Sequence, residues 1–223
     1  HTRCLRVSWL GDVYKRQDLK FTLSLILLIA LENSLPKKRK RGIIMSKKVL
    51  ILSGSPRRNG NSDLLCDEFL RGARESGNQA EKIFLRSKKV APCNACYYCS
   101  SNGGKCAIHD DMEEILDKMQ EADVIVMASP VYFYSIDAQM KAVIDRTLAR
   151  WTNIPNKEFY YIMTAAENSS HVMDCTLECF RGFAACLKGA REMGVIYGKG
   201  VYEPGDIREM PAMKEAYEMG LRV

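Results

Sequence analysis

The sequence predicts an α/β protein with a doubly wound, five-stranded parallel sheet. Three observations support this prediction. Short apolar runs alternate with helical segments five times between residues 48 and 220, two of these runs lead into a Ser-Pro turn, and no repeat or low-complexity tract interrupts the alternation. Parallel strands joined by crossover helices produce this order of elements.

The predicted strands are short apolar runs. The first, VLILS at Val49–Ser53, is apolar at consecutive positions, which is typical of a parallel strand that is covered on both faces. The third, DVIVMA at Asp123–Ala128, has the same character. The other three predicted strands are Ala80–Leu85, Phe159–Ala165 and Gly194–Gly198.

The predicted helices follow from capping residues and from apolar residues at helical spacing. Ser62–Ser76 has this spacing, with Ser62 as the N-cap and Asp63 in the first turn. Asp110 and Glu113 resemble a capping box and predict a helix that runs to about Ala122. The other three predicted helices are Ser135–Arg150, Met173–Ala190 and Met210–Gly220.

The charge of the chain is concentrated at one end. The 223 residues have a net charge of +6 and are 47% hydrophobic, the composition of a globular protein. A positive charge suggests an acidic partner, but residues 1–44 contain ten Lys and Arg against three acids, which leaves 23 basic and 24 acidic residues for the rest. No nucleic-acid partner is therefore expected for the nearly neutral part of the chain.

Residues 1–44 form a leader with three competing interpretations. The apolar run Phe21–Leu31 resembles the core of a signal peptide but is shorter than the roughly 20 residues that span a bilayer. PKKRKR at Pro36–Arg41 resembles a nuclear-localisation signal, a pattern with many false positives. Asp12–Gln17 resembles translated sequencing-adaptor DNA, and the residues before Met45 can be encoded by a purine-rich stretch. We expect the native chain to start at Met45 and the leader to be non-native or disordered.

The loop after the first strand, Gly54–Ser62 (GSPRRNGNS), predicts an anion site. It has neither the G-x-G-x-x-G of a dinucleotide-binding loop nor the G-K-[ST] of a P-loop. It brings hydroxyls, a guanidinium and a helix N-terminus to one place, and such an arrangement suits one phosphate. Ligands of these sheets bind beyond the carboxyl ends of the strands, where the strand order reverses. The alternative is a polar strand-to-helix turn that binds nothing.

The loop after the third strand, Ser129–Tyr134 (SPVYFY), contains three consecutive aromatic residues. These cannot all lie in the core, so at least one faces the crevice, and aromatic faces stack on planar ring systems. A phosphate site and a stacking loop in one crevice indicate a phosphorylated planar ligand. FMN fits better than a nucleotide diphosphate because one phosphate cradle is visible.

These loops resemble those of the flavodoxin-like NAD(P)H-dependent FMN reductases. The shared motifs are GSPRxxGNS at Gly54–Ser62, SPVYF at Ser129–Phe133 and KAVIDR at Lys141–Arg146, and the similarity covers about residues 46–223. The resemblance implies that residues 45–223 form a flavodoxin-like FMN-binding domain. The cofactor-binding residues that we expect are Ser53, then Ser55, Arg57, Asn61 and Ser62 at the phosphate, and Pro130, Val131, Tyr132 and Phe133 at the isoalloxazine.

Two further segments have a less specific interpretation. In KAVIDR, we interpret Lys141, Asp145 and Arg146 mainly as helix and oligomer structure. Thr164–Asn168, after the fourth strand, suggests a third loop that borders the flavin.

Four of the nine cysteines have the spacing C-x2-C-x2-C-x6-C and lie in an insertion at residues 91–108. Three thiols at intervals of three can point inward around a compact cluster, whereas zinc ribbons use two separated C-x2-C pairs. The spacing is that of a [4Fe–4S] site, and it resembles the iron–sulfur flavoproteins, a branch of these reductases. Thiols without metal, a zinc site and a redox disulfide are the alternatives. The expected ligands are Cys93, Cys96, Cys99 and Cys106.

These features predict a redox protein that passes electrons from a reduced donor, NAD(P)H or a ferredoxin, to an acceptor through FMN and a [4Fe–4S] cluster. The cofactors supply the chemistry, so no catalytic acid, base or nucleophile is required. The resemblance implies a homodimer or homotetramer, and we expect a cytoplasmic protein without a membrane partner. The alternatives are a cluster-free NAD(P)H-dependent reductase of flavin, quinone or nitro compounds and a non-enzymatic, flavodoxin-like electron carrier.

Overall fold

Five strands form one parallel sheet within residues 46–223, the part of the chain that the computed structural model describes. The interpretation of the leader as non-native lies outside the described residues. The strands are β1 (Lys48–Ser53), β2 (Gln79–Phe84), β3 (Val124–Pro130), β4 (Glu158–Thr164) and β5 (Arg191–Gly198). The strand order is β2-β1-β3-β4-β5, the doubly wound order of flavodoxin-like folds. The predicted fold class is therefore confirmed.

Helices cover both faces of the sheet. The helices are α1 (Asn61–Glu75), the single turn α2 (Tyr98–Ser101), α3 (Met112–Glu121), α4 (Ala138–Arg146), α5 (Asp174–Ala185) and α6 (Pro211–Leu221). On one face α1 and α6 pack, and on the other α3, α4 and α5. In the described residues no helix is both long and apolar enough to cross a membrane.

The consecutive apolar residues of β1 follow from this layering. Leu50 and Leu52 pack into the core on the side of α3, whereas Val49 and Ile51 pack on the side of α1. Because successive side chains of a strand point to opposite faces, a strand covered on both sides needs apolar residues at every position.

Two predicted helix starts are wrong by a few residues. α1 begins at Asn61, with Gly60 rather than Ser62 at the N-cap position, because the helix starts two residues after a turn at Asn59, which has a positive φ of 57°. α4 begins at Ala138, because the Asp137 side chain accepts a hydrogen bond from the Met140 N–H at 2.9 Å.

The capping box predicted at Asp110 is also absent from the described structure. Asp111 occupies the N-cap position of α3 and makes no capping hydrogen bond there. The Asp110 carboxylate accepts from the N–H of Met112, the first residue of α3, at 3.2 Å. It also receives two hydrogen bonds from Arg146 on α4. A local pattern indicates the bond to the helix end but not the bonds to a distant arginine.

The crevice lies where the strand order reverses. β1 is flanked by β2 on one side and β3 on the other, so the chain leaves β1 and β3 in opposite directions. Loops that leave neighbouring strands in this way open a gap at the carboxyl edge of the sheet.

Candidate functional site

A cleft of about 180 Å³ opens at the carboxyl edge of the sheet. Its walls come from the loops that follow β1, β3, β4 and β5. Among its lining residues are Ser55, Gly60, Val131, Tyr132, Ala165 and Tyr202. The predicted loop at Thr164–Asn168 does border this cleft, through Thr164, Ala165 and Ala166.

One end of the cleft is the N-terminus of α1. Gly60 takes the N-cap position, and no side chain caps the helix. The Ser62 side chain is buried, with 1% exposure, and its hydroxyl has no hydrogen-bond partner within residues 46–223. A buried polar group without a partner is unusual in a folded protein. Gly60 and Asn61 line the cleft, and Ser62 follows them without lining it. The helix end therefore offers free N–H groups to an anion, and the next side chain along the helix has an unpartnered hydroxyl.

The loop before this helix is tight enough to require a glycine. A Cβ atom at Gly60 would lie 2.9 Å from the Arg57 carbonyl oxygen and 2.9 Å from Ser55 Oγ. The Gly60 N–H donates to the same Arg57 oxygen at 3.0 Å. The backbone thus encloses a small cradle in front of α1, and a cradle at a helix N-terminus fits a phosphate group.

Two of the predicted serines are bonded inside the protein. Ser53 Oγ donates to Asp63 at 2.9 Å. Ser55 Oγ donates to the Arg57 carbonyl oxygen at 3.0 Å and accepts from the Arg57 N–H at 3.2 Å. Both hydroxyls shape the loop, and Ser62 is the member of the predicted serine set whose hydroxyl has no partner.

Arg57 and Asn61 connect the loop after β1 to the loop after β5. Arg57 donates to the Tyr202 carbonyl oxygen at 3.2 Å. The Asn61 amide donates to the Glu203 carbonyl oxygen and accepts from the Gly205 N–H, both at 3.0 Å. The side chains of these two predicted phosphate ligands therefore hold the two walls of the cleft together.

Asp63 is a functional residue that the sequence analysis placed only in a helix turn. Its carboxylate is buried and accepts from the Asn59 N–H at 3.0 Å and from Lys82 Nζ at 2.8 Å, besides Ser53. It therefore joins β1, β2 and the cradle loop. The sequence signal was an acidic residue three positions after Gly60, and an acidic residue in a first helical turn is already explained by the start of the helix.

A strained hairpin forms the aromatic side of the cleft. Tyr132 and Ser135 exchange two backbone hydrogen bonds of 3.0 Å, and the two residues between them have positive φ values, 50° at Phe133 and 63° at Tyr134. Positive φ at both central positions defines a type I′ turn, which favours Asn-Gly, and bulky residues there cost energy. This cost indicates that the aromatic side chains serve something other than folding.

The four predicted ring-contacting residues do not all face the same space. Val131 and Tyr132 line the cleft. Phe133, which is fully exposed, borders a second depression that Val131 also lines. Pro130 ends β3 and is not among the lining residues of either space.

Asp137 is buried at the N-cap position of α4. One carboxylate oxygen accepts from the Met140 N–H, and the other has no partner. Burial raises the pKa of Asp137 from 3.8 to about 6, because water is excluded from the ionised form. The unpartnered oxygen lies against Gly54, where a Cβ atom would overlap it and would also lie 2.8 Å from the Ala128 carbonyl oxygen.

The four clustered cysteines lie between β2 and α3, in the predicted insertion. All four are free thiols; Cys93 and Cys96 are exposed, and Cys99 and Cys106 are half-buried. In residues 46–223, no three His, Cys, Asp or Glu side chains surround a common metal position. The donor set suits an iron–sulfur cluster, but the loop as folded here does not bring the four sulfur atoms together.

The sequence of the chain matches a known family model and several curated proteins. Residues 47–185 match the family model described as NADPH-dependent FMN reductase. An iron–sulfur flavoprotein of Methanocaldococcus jannaschii is 48% identical over 100 residues, which cover 45% of this chain and 51% of that protein. An iron–sulfur flavoprotein of Methanosarcina thermophila is 41% identical over 101 residues, 45% and 52% of the two chains. The matched part of the chain thus spans about half the length of these curated relatives.

Solved structures share the fold at low sequence identity. The NAD(P)H:quinone oxidoreductase from Methanothermobacter marburgensis superposes with a TM-score of 0.62 at 18% identity, over 79% of this chain and 96% of the other. The Trp repressor binding protein from Bacillus subtilis has a TM-score of 0.57 at 24% identity, over 78% and 99%. At these identities the likeness concerns the fold.

Proposed function

Because the chain belongs to the NADPH-dependent FMN reductase family, we propose that it is an NAD(P)H-dependent oxidoreductase with FMN bound in the cleft. The observation that best supports this proposal is the unpartnered, buried hydroxyl of Ser62 at the uncapped end of α1. A group of this kind is costly without a ligand and well placed with an anionic one.

The chain's own residues would bind and orient the cofactor. The first-turn N–H groups of α1 and the Ser62 hydroxyl would donate to the phosphate, and the guanidinium of Arg57 would add positive charge. Val131 and Tyr132 would border the ring system from the β3 side, and Thr164–Ala166 from the β4 side. FMN, when bound, supplies the redox chemistry by accepting a hydride and passing electrons on singly or in pairs. Residues 45–223 are then an FMN-binding domain with a cysteine-rich insertion at 91–108.

We further propose that the four clustered cysteines bind a [4Fe–4S] cluster. The C-x2-C-x2-C-x6-C spacing and the relatives named iron–sulfur flavoproteins support this. The cluster would exchange single electrons with the flavin. Its binding requires the exposed loop to close around the inorganic core, and the positive φ values at Ala95 and Tyr97, 51° and 54°, are the kind of backbone strain found at ligand-holding loops.

A cluster-free reductase is the second candidate function. The observation in its favour is that the thiols of the described loop do not surround a common metal position. In both cases the partners would be small redox molecules, or a ferredoxin-type protein where single electrons are exchanged, and the protein would act in the cytoplasm as a homodimer or homotetramer.

The reductase proposal is tested by anaerobic rapid mixing of the FMN-loaded full chain with NADH or NADPH. We expect the flavin absorbance to bleach with either or both nucleotides and to return when a quinone is added. Flavin that stays oxidised with both nucleotides, yet is bleached by dithionite, would contradict the reductase and favour an electron carrier.

The cluster proposal is tested by iron and sulfide analysis of matched cysteine variants. Cys99→Ala should lose most of the iron that the full chain binds. Cys186→Ala changes an exposed cysteine that follows α5 and should keep it. Equal iron contents of the two variants would contradict the proposed ligand set.

A further inference from the structure

Arg146 has a role that its position in the helix motif KAVIDR does not reveal. Its neighbours in that motif behave as helix surface residues: Lys141 and Asp145 form an exposed ion pair one turn apart, at 2.5 Å. Arg146 instead is 2% exposed and leaves the end of α4 toward the base of the cysteine insertion. Its interpretation as helix and oligomer structure therefore does not describe its contacts.

The guanidinium of Arg146 forms a two-pronged ion pair with Asp110. The two terminal nitrogens donate to the two carboxylate oxygens at 2.8 and 2.9 Å. Two parallel charge-assisted hydrogen bonds fix the orientation of both groups as well as their distance. Both side chains are largely out of water, at 1% and 10% exposure, so each charge depends on the other for compensation.

This ion pair ties together the two ends of the cysteine insertion. Arg146 donates to the Ala91 carbonyl oxygen at 2.8 Å and to the Ile108 carbonyl oxygen at 3.3 Å. Asp110 accepts from the Ala91 N–H at 2.9 Å. Ala91 lies two residues before Cys93, and Ile108 lies two residues after Cys106. The intervening segment thus begins and ends at one buried pair of charges.

We propose that Arg146 and Asp110 are positioning residues for the cysteine insertion. They hold together its two ends at Ala91 and Ile108, which form its neck, and so set the separation of its first and last thiols, Cys93 and Cys106. Closing a loop costs chain entropy, and a neck held by the protein itself removes that cost from the step in which the thiols acquire a ligand. The part of this inference that concerns iron rests on the proposed cluster, whereas the closed neck itself does not.

The test compares Arg146→Lys with Arg150→Lys. The first change keeps the positive charge but removes the fork that spans Asp110, Ala91 and Ile108. The second is a matched control. The ion pairs that it changes, with Glu113 and Asp117, lie outside the insertion, and lysine keeps the first carbons of the Arg150 side chain, which lie against Gly104. Amide hydrogen exchange is measured in the metal-free full chain, together with FMN affinity as a measure of the intact fold.

We expect Arg146→Lys to accelerate exchange of the amides between residues 91 and 108 by about tenfold or more, while the amides of the sheet and the affinity for FMN stay at wild-type values. Arg150→Lys should leave all three unchanged. Iron bound per chain should fall in the first variant and not in the second. Exchange at the wild-type rate in Arg146→Lys would overturn the inference.

Should Arg146→Lys fold poorly, the same exchange rates are measured in Asp110→Asn and in the double variant Arg146→Lys with Asp110→Asn. Because the two side chains act on the same loop ends, the double variant should exchange no faster than the more affected single variant, a non-additivity that independent sites do not show. Additive effects would overturn the inference. A wild-type chain that binds no iron would refute the cluster alone, since the exchange rates still decide the role of the ion pair.

Discussion

Removal of the Ser62 hydroxyl should leave the flavin-free protein at least as stable as before but weaken its affinity for FMN. In Ser62→Ala the flavin-free protein loses a buried hydroxyl that has no partner, so its free energy of unfolding should stay the same or rise by about 1 kcal/mol. The FMN complex loses a hydrogen bond to a charged phosphate, which contributes about 1.5–3 kcal/mol. At about 1.4 kcal/mol per factor of ten, the dissociation constant for FMN should rise about 10- to 100-fold.

The assay is a fluorescence titration of the flavin-free full chain with FMN and, separately, with riboflavin. Riboflavin lacks the phosphate, so its affinity should be the same for Ser62→Ala and the wild type. Thr176→Val is the matched control, because Thr176 on α5 is a second buried residue with an unpartnered hydroxyl and α5 packs on the opposite face of the sheet from α1. Unchanged FMN affinity in Ser62→Ala, or an equal loss for riboflavin, would refute the placement of the phosphate at α1.

Three further changes test the framework of the cleft. Gly54→Ala should destabilise the fold by about 1–3 kcal/mol, because the new methyl group would overlap Asp137. Gly182 lies inside a helix with open space around it, so Gly182→Ala should stabilise the fold by up to about 1 kcal/mol. Equal effects of the two changes in urea unfolding would contradict this. The pKa of Asp137 is about 6 in the folded protein instead of 3.8, so the unfolded chain releases this proton first as the pH rises. The group therefore lowers the free energy of unfolding by about 3 kcal/mol between about pH 4 and 6. Asp137→Asn should flatten that part of the pH–stability curve, and an unaltered slope would contradict the effect of burial. Replacing Phe133-Tyr134 by Asn-Gly should raise the melting temperature, because the positive φ values then suit the residues, and a lower melting temperature would show that the aromatic contacts outweigh the strain.

Much of the fold could be predicted because its signals are local. VLILS predicts a strand covered on both faces, and the structure buries Leu50 and Leu52 on one side and Val49 and Ile51 on the other. Helix ends were less accurate, since the start of α1 depends on the positive φ of Asn59, which no apolar periodicity encodes.

The candidate site was predicted as a set of loops but not as a set of contacts. Ser53 and Ser55 have hydroxyls of the expected type, yet both are bonded to other groups of the protein. This depends on where Asp63 and Arg57 lie in three dimensions. Asp110 and Arg146 are 36 residues apart, so the sequence offered only a capping pattern for one and a helix motif for the other. Long-range pairs of this kind leave no trace in spacing or propensity.

The most direct test of the central claim is an anaerobic absorbance spectrum of the full chain, with flavin, iron and sulfide measured on the same sample after incubation with excess FMN and its removal. We expect one FMN per chain, together with a broad, dithionite-bleachable absorption and about four iron atoms per chain, the number in the proposed cluster. Flavin without iron would contradict the cluster and leave the cluster-free reductase. A chain that retains no flavin would contradict the assignment of the cleft itself.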